Sequence, residues 1–198
     1  MLELFGRQLR KPSGNWGKIV AIIMNKRNTK FYSELINILD VKDNDKVFEI
    51  GYGPGLGIQM LADTNENCTI EGMDFSELMF REATKRNKKY ISRNKVRLSF
   101  GDFLSEDFVN KTYDKIYCVN VIYFWNELSI VFDKIASLLN KGGIFCIFMT
   151  HEKELQNKKF TQDFCRYSIE TVEEELSKAG FSNIDFKFEN GYFITAIK

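Results

Sequence analysis

Gly51, Gly53 and Gly55 alternate inside Val47–Gly57, VFEIGYGPGLG, where a short apolar run meets the start of a helical pattern. Lacking Cβ atoms, Gly51, Gly53 and Gly55 let a ligand come close to the backbone, and the helix start behind them offers oriented N–H groups. This is the chemistry of a nucleotide-type pocket. The dinucleotide fingerprint G-x-G-x-x-G fails because its third glycine falls at Leu56, and no G-x-x-x-x-G-K-[ST] loop for triphosphates is present. Asp74 ends the next apolar run, where a carboxylate is placed to accept hydrogen bonds from both hydroxyls of a ribose lying across strand ends. The alternative for Asp74 is a helix cap, although Ser76 can serve as one. Asp102, in Gly101-Asp102-Phe103, follows the third run and can accept from an exocyclic amine while Phe103 packs on a purine.

Asn120-Val121-Ile122-Tyr123-Phe124-Trp125 leaves the fourth run. Tyr123 and Trp125 form there either an aromatic wall, suited to a cationic or planar ligand, or ordinary core. His151, the single histidine, follows the fifth run; an imidazole suits general base work near neutral pH, and the plainer reading is a surface side chain. The polar stretch 152–167 carries Phe160, Phe164 and Tyr167 and is expected to contribute to an acceptor pocket or a lid. Trp16, near the N-terminus, belongs to the other expected lid.

Alternating strands and helices must position these groups. Apolar runs at Lys46–Ile50, Thr69–Met73, Val96–Phe100, Lys115–Asn120 and Gly143–Thr150 predict buried parallel strands. Helices are predicted over Leu56–Asp63, Ser76–Ser92, Glu127–Leu139 and Thr171–Ala179, the last with a Thr171-x-x-Glu174 capping box and Gly180 as its stop. Phe181–Phe188 and Tyr192–Ile197, joined by Glu189-Asn190-Gly191, read as a hairpin, so the parallel sheet should finish in an antiparallel pair. A dinucleotide-binding sheet would stay parallel. Before Asp45 lies a basic arm in which Arg7, Arg10, Lys11, Lys18, Lys26, Arg27 and Lys30 face one early acid, Glu3. Trp16, Ile19, Val20, Ile23 and Met24 recur there at helical spacing, and a second helix is expected over Phe31–Leu39.

In order and spacing these motifs resemble those of the class I S-adenosylmethionine-dependent methyltransferases, from about Asp45 to the C-terminus. EIGYGPG resembles the family's first motif, GMD its second-strand acid, GDF its adenine loop and YDKIYCVNVIYFW its fourth-strand segment. LLNKGGIF resembles the turn before the fifth strand and KAGF the approach to the sixth. The resemblance implies an α/β, Rossmann-like seven-stranded sheet, parallel with an antiparallel last strand, and S-adenosylmethionine as cofactor. It places the methionine moiety on Glu49, Gly51, Gly53 and Gly55 with Tyr52 beside them, the ribose on Asp74, and the adenine on Phe75, Asp102 and Phe103 with Met79. Asn120 would supply a carbonyl to the cofactor's amino group. Methyl transfer needs alignment and exclusion of water more than a dedicated base. Tyr123 and His151 are the catalytic candidates, and Trp16, Tyr123, Trp125 and His151 are the residues expected to face the acceptor. Residues 120–123 also resemble the [N/D]-P-P-[Y/F] motif of enzymes that methylate nucleic-acid bases, but both prolines are missing. QLRKPSGNWG resembles a bacterial subgroup acting on small molecules.

The 198 residues, 44% of them apolar, suffice for one domain, expected as a helical cap over 1–40 and a methyltransferase domain over 41–198. With 28 Lys+Arg against 27 Asp+Glu the net charge is +1, so no overall field draws nucleic acid, and the basic run Lys85–Arg97 reads as a solvated face. Cys68, Cys118, Cys146 and Cys165 form no C-x-x-C pair and read as reduced thiols; no metal set is expected. Without a long apolar run or a signal-like block, the protein is expected in the cytoplasm. The expected partner is a small-molecule acceptor offering nitrogen or oxygen, with no nucleic acid, and the oligomeric state is left open. Lipid-headgroup methylation, RNA methylation and a non-catalytic binding module are the alternatives, and the basic helix with Trp16 is a candidate for weak membrane-surface contact.

Overall fold

The computed structural model describes residues 2–198, with side chains from Phe5 onward; the side chain of Glu3 in the basic arm lies outside the described residues. Two helices come first, α1 (Leu2–Arg10) and α2 (Gly14–Leu39). Then follow β1 (Lys46–Ile50), α3 (Leu56–Thr64), β2 (Thr69–Asp74), α4 (Glu77–Arg86), α5 (Lys88–Ile91), β3 (Val96–Phe100) and β4 (Tyr113–Val119). The chain ends with α6 (Leu128–Leu138), β5 (Leu139–Met149), α7 (Glu152–Gln156), α8 (Ile169–Lys178), β6 (Ser182–Phe188) and β7 (Tyr192–Ile197). The strands make one seven-stranded sheet in the order β3-β2-β1-β4-β5-β7-β6. Pairings among β1 to β5 are parallel, and β7 runs antiparallel to both β5 and β6, as the Asn190-Gly191 hairpin predicted.

Successive residues of a strand point to opposite faces, and both faces of this sheet are covered. Phe48 and Ile50 of β1 join a layer with Val131, Phe132 and Ile135 of α6 and Val172 and Leu176 of α8. Val47, just before Phe48, joins the opposite layer with Tyr32, Leu35 and Leu39 of α2 and Ile58 and Leu61 of α3. The order of connection reverses between β1 and β4, which opens a crevice at their C-terminal ends.

Several boundaries differ from expectation for local reasons. The helix expected over Ser76–Ser92 breaks at Asn87, whose fully buried amide donates to the carbonyls of Gly55 and Ala83, each at 3.0 Å. The eighth helix starts earlier than Thr171, because Ser168 Oγ accepts the Thr171 N–H at 3.2 Å and caps it. The two N-terminal helices expected around Trp16 and Phe31 are one continuous 26-residue helix. Its sheet-packed half fixes the phase, so the helical period carries the buried side to Gly17, Val20 and Ala21 and turns Trp16, Ile19 and Ile23 outward. Of the expected apolar face, only Val20 is in the core, and the C-terminal half of α2, inside the expected cap over 1–40, belongs to the core layer. Among the described residues no helix is long and apolar enough to cross a membrane, and no group of three His, Cys, Asp or Glu is arranged for a metal.

Candidate active site

Gly51 to Gly55 carry the chain from β1 into α3. At Gly53, with φ of 52°, an added Cβ would meet nothing nearer than Met24 Cε at 3.5 Å, so the bare backbone forms an open floor. At Gly55, with φ of 76°, a Cβ would stand 2.7 Å from that of Ala83, so this glycine seats the turn on α4. Arg86 Nε holds the same turn by donating to the Pro54 carbonyl at 2.9 Å.

Asp74 ends β2 facing this floor. Its Oδ2 accepts the Gly53 N–H and its Oδ1 the Ser76 N–H, both at 2.8 Å. Burial raises its carboxyl to about 6, against the pull of those two backbone donors. Each oxygen keeps a second lone pair for a ligand. The helix-cap alternative goes to Ser76, whose Oγ accepts from Met79 N and donates to the Pro12 carbonyl at 2.7 Å.

A cavity of about 740 Å³ opens at these strand ends. Gly51, Gly53, Asp74, Phe75, Met79 and Asp102 line one side. Phe103 lines it too while its ring reaches into the core beside Phe48 and Phe108. Lys11, from the link between α1 and α2, sits 5.6 Å over the Phe75 ring. A glycine floor that a Cβ would fill, a ribose-ready carboxylate and an aromatic slot together fit an adenosyl ligand bearing an amino-acid tail.

Residues 47–143 match the profile of a family described as a methyltransferase domain. With the relatives that follow, this match supports a class I S-adenosylmethionine-dependent methyltransferase. An uncharacterized Bacillus subtilis methyltransferase, YdaC, is 29% identical to it over 172 residues, 87% of this chain and 91% of that one. A sterol 24-C-methyltransferase of Clavispora lusitaniae is 25% identical over 168 residues; the match takes in 78% of this chain but 43% of the longer enzyme. Among solved structures, a methyltransferase bound to the Haloferax volcanii Trm112 activator superposes with a TM-score of 0.75 at 18% identity, covering 89% of this chain and 92% of that one. A Haemonchus contortus phosphoethanolamine N-methyltransferase, solved with S-adenosylhomocysteine and a phosphorylated amine, gives 0.73 at 17% identity over 85% of this chain and 52% of that one.

The methyltransferase keeps five of the expected site residues off the cavity wall. Glu49 shares the face of Val47, fully buried, and its two oxygens accept from Tyr32 and Tyr117 hydroxyls at 2.8 Å each. Tyr52 is buried too and donates to the Ser99 carbonyl at 2.9 Å. Gly55 is packed as described. Trp16 points outward from α2. His151 caps α7, its Nδ1 accepting from Lys153 N at 3.0 Å, and its ring stacks on Tyr192. That nitrogen is occupied, and the ring lies outside the cavity.

Asn120, Tyr123 and Trp125 do line the methyltransferase cavity. Asn120 leaves β4 with φ of 57°, and its Oδ1 accepts from Tyr123 Oη at 3.1 Å and from Thr150 Oγ1 at 3.0 Å. Burial pushes the Tyr123 phenol upward, so the hydroxyl stays protonated and serves as a fixed strut rather than a base. Opposite it, Phe164 stacks nearly parallel to Tyr123, and Phe160 meets Phe5 of α1 edge-on at 5.0 Å. Phe160 and Phe164 were expected near the acceptor. Phe5, Met24, Asn28 and Phe31 were not, since only the path of α1 and α2 over the strand ends brings them there. Met24 carried a signal, the apolar spacing along α2; Phe5, on α1, and the polar Asn28 carried none.

Proposed function

We propose that this methyltransferase transfers the S-adenosylmethionine methyl to a nitrogen or oxygen of a small-molecule acceptor. The observation that carries the reading is the division of one cavity into a polar side at the strand ends, with Gly53, Asp74 and Asp102, and an aromatic side under α1 and α2. Gly51 and Gly53 would lie under the methionine moiety, Asp74 would accept from the ribose hydroxyls, and Phe75, Met79, Asp102 and Phe103 would hold the adenine. Bound S-adenosylmethionine supplies a methyl carbon on a positively charged sulfur, open to in-line displacement. Tyr123, Phe124 and Phe164 then have the task of orienting the acceptor and keeping water out. An electron-rich aromatic wall favours planar or cationic acceptors.

Calorimetric titration with S-adenosylmethionine, S-adenosylhomocysteine and NAD tests the cofactor half. Binding of the first two and not the third is the expected result; a folded protein that binds none of them defeats the reading. Screening amines and phenols for methyl incorporation tests the acceptor half.

A further inference from the structure

The N-terminal half of α2 leaves apolar side chains in water that no other element covers among the described residues. Trp16, Ile19, Ile22 and Ile23 are 67%, 49%, 68% and 38% exposed, values that mark an unpartnered surface rather than scattered residues. At 3.6 residues per turn they share one sector of about 120° on the helix. Lys18 borders that sector on one side and Arg27 on the other, and Lys26 and Lys30 continue it one turn further on. Lys18, Lys26 and Arg27 form no ion pair among the described residues, and Glu34, the one acid of α2, is already paired with Lys187. The stripe also leads inward. Ile23 belongs both to it and to the cavity wall, where Met24 and Arg27 stand beside it.

An apolar stripe fringed by unpaired cations is complementary to one kind of surface, an anionic bilayer, with the rings and branched chains among the acyl tails and the cations at the headgroups. We infer that α2 docks the enzyme on an anionic membrane surface and that its acceptor is an amphiphile passed from that surface, past Ile23, into the aromatic side of the cavity. The substrate half rests on the methyl-transfer reading above; the docking half does not.

The test uses the full chain and sedimentation with vesicles of phosphatidylcholine alone or mixed with phosphatidylglycerol. Wild type should bind the mixed vesicles, with affinity falling as salt rises, and tryptophan emission should shift to the blue, since of the two tryptophans Trp16 is exposed and Trp125 buried. The double variant Ile19→Glu with Ile22→Glu, at positions outside the cavity wall, should lose about tenfold or more of vesicle binding while keeping its affinity for S-adenosylmethionine. Equal binding by variant and wild type, or none by wild type, overturns the proposal. So does a variant that only converts a dimer to a monomer, which would make the stripe a contact between copies. Vesicle binding without cofactor binding would instead sink the methyl-transfer reading and leave docking standing.

Discussion

Glu49 holds the hydroxyls of Tyr32 and Tyr117 on its two oxygens, and burial lifts its carboxyl to about 7. An unfolded glutamate titrates near about 4.3, so between those values the folded chain keeps a proton that the unfolded chain releases. Stability from this group is therefore greatest at low pH, declines as pH climbs from about 4 through about 7, and is level above that. Asp74, raised to about 6, adds a decline of the same sign over a lower window. Glu49→Gln keeps the hydrogen-bonding capacity without the titration, so its melting temperature should vary less than the wild type's between about pH 5 and 8. An equally steep variant would assign the proton elsewhere. On the ligand side, Asp74→Ala should weaken S-adenosylmethionine binding by about 1–3 kcal/mol in a calorimetric titration, the loss of charge-assisted hydrogen bonds to a ribose. Unchanged affinity in folded protein would remove that role. That Gly53, Asp74 and Asp102 meet at one cavity was legible in the sequence because the features that place them are local: a missing Cβ, an acid at a strand end. Glu49 and His151 were misread because their partners are remote or unexpected. No motif shows that Tyr32, on a helix before the first strand, reaches Glu49, or that His151 spends its Nδ1 on a helix cap.

At the scale of elements, the described residues of α1 pack chiefly against the turn at Lys159–Thr161 and, to a lesser extent, against α2. Gly6 lies so close that a Cβ there would clash with the Phe160 carbonyl, and Phe5 meets the Phe160 ring edge-on. Gly6→Ala should lift α1 away without touching the sheet. The expected outcome is faster proteolytic cleavage within residues 1–13 and slower methyl transfer, with a melting transition close to that of wild type; a matching loss of global stability would show that α1 is part of the core. The central strands were the readable elements, since Val47–Ile50 of β1 and the C-terminal parts of β4 and β5 are buried on both faces and announce themselves as apolar runs. The helices were less so. The break at Asn87 serves the glycine turn on another element, and the union of two expected helices into α2 is decided by the sheet beneath Tyr32 and Leu35, neither of which any local window contains.

Across the whole molecule, the cavity lies between a sheet tied on both faces and a roof of α1, the first half of α2 and the segment around Phe160 and Phe164. Amide hydrogen exchange should accordingly be fastest in α1 and residues 151–164 and slowest in β1, β4 and β5, with S-adenosylmethionine slowing the roof selectively. Uniform protection without ligand would mean that the roof is as firmly built as the sheet. The α/β class and the antiparallel finish were open to reading from motif order and the Asn190-Gly191 turn, whereas the roof's position was not, because it depends on contacts such as Asn120 with Asn28 that join distant parts of the chain. The continuity of α2 has a mechanical side. Its 26 residues make a rod roughly 39 Å long, with no proline inside it to bend. One end is clamped where Tyr32 meets Glu49 and Phe31 stacks on Phe148; the other carries Trp16. Because Gly17, Val20 and Ala21 seat the Trp16 end as well, such a rod moves as one body: a shift at the tyrosine clamp is carried along its whole length to Trp16.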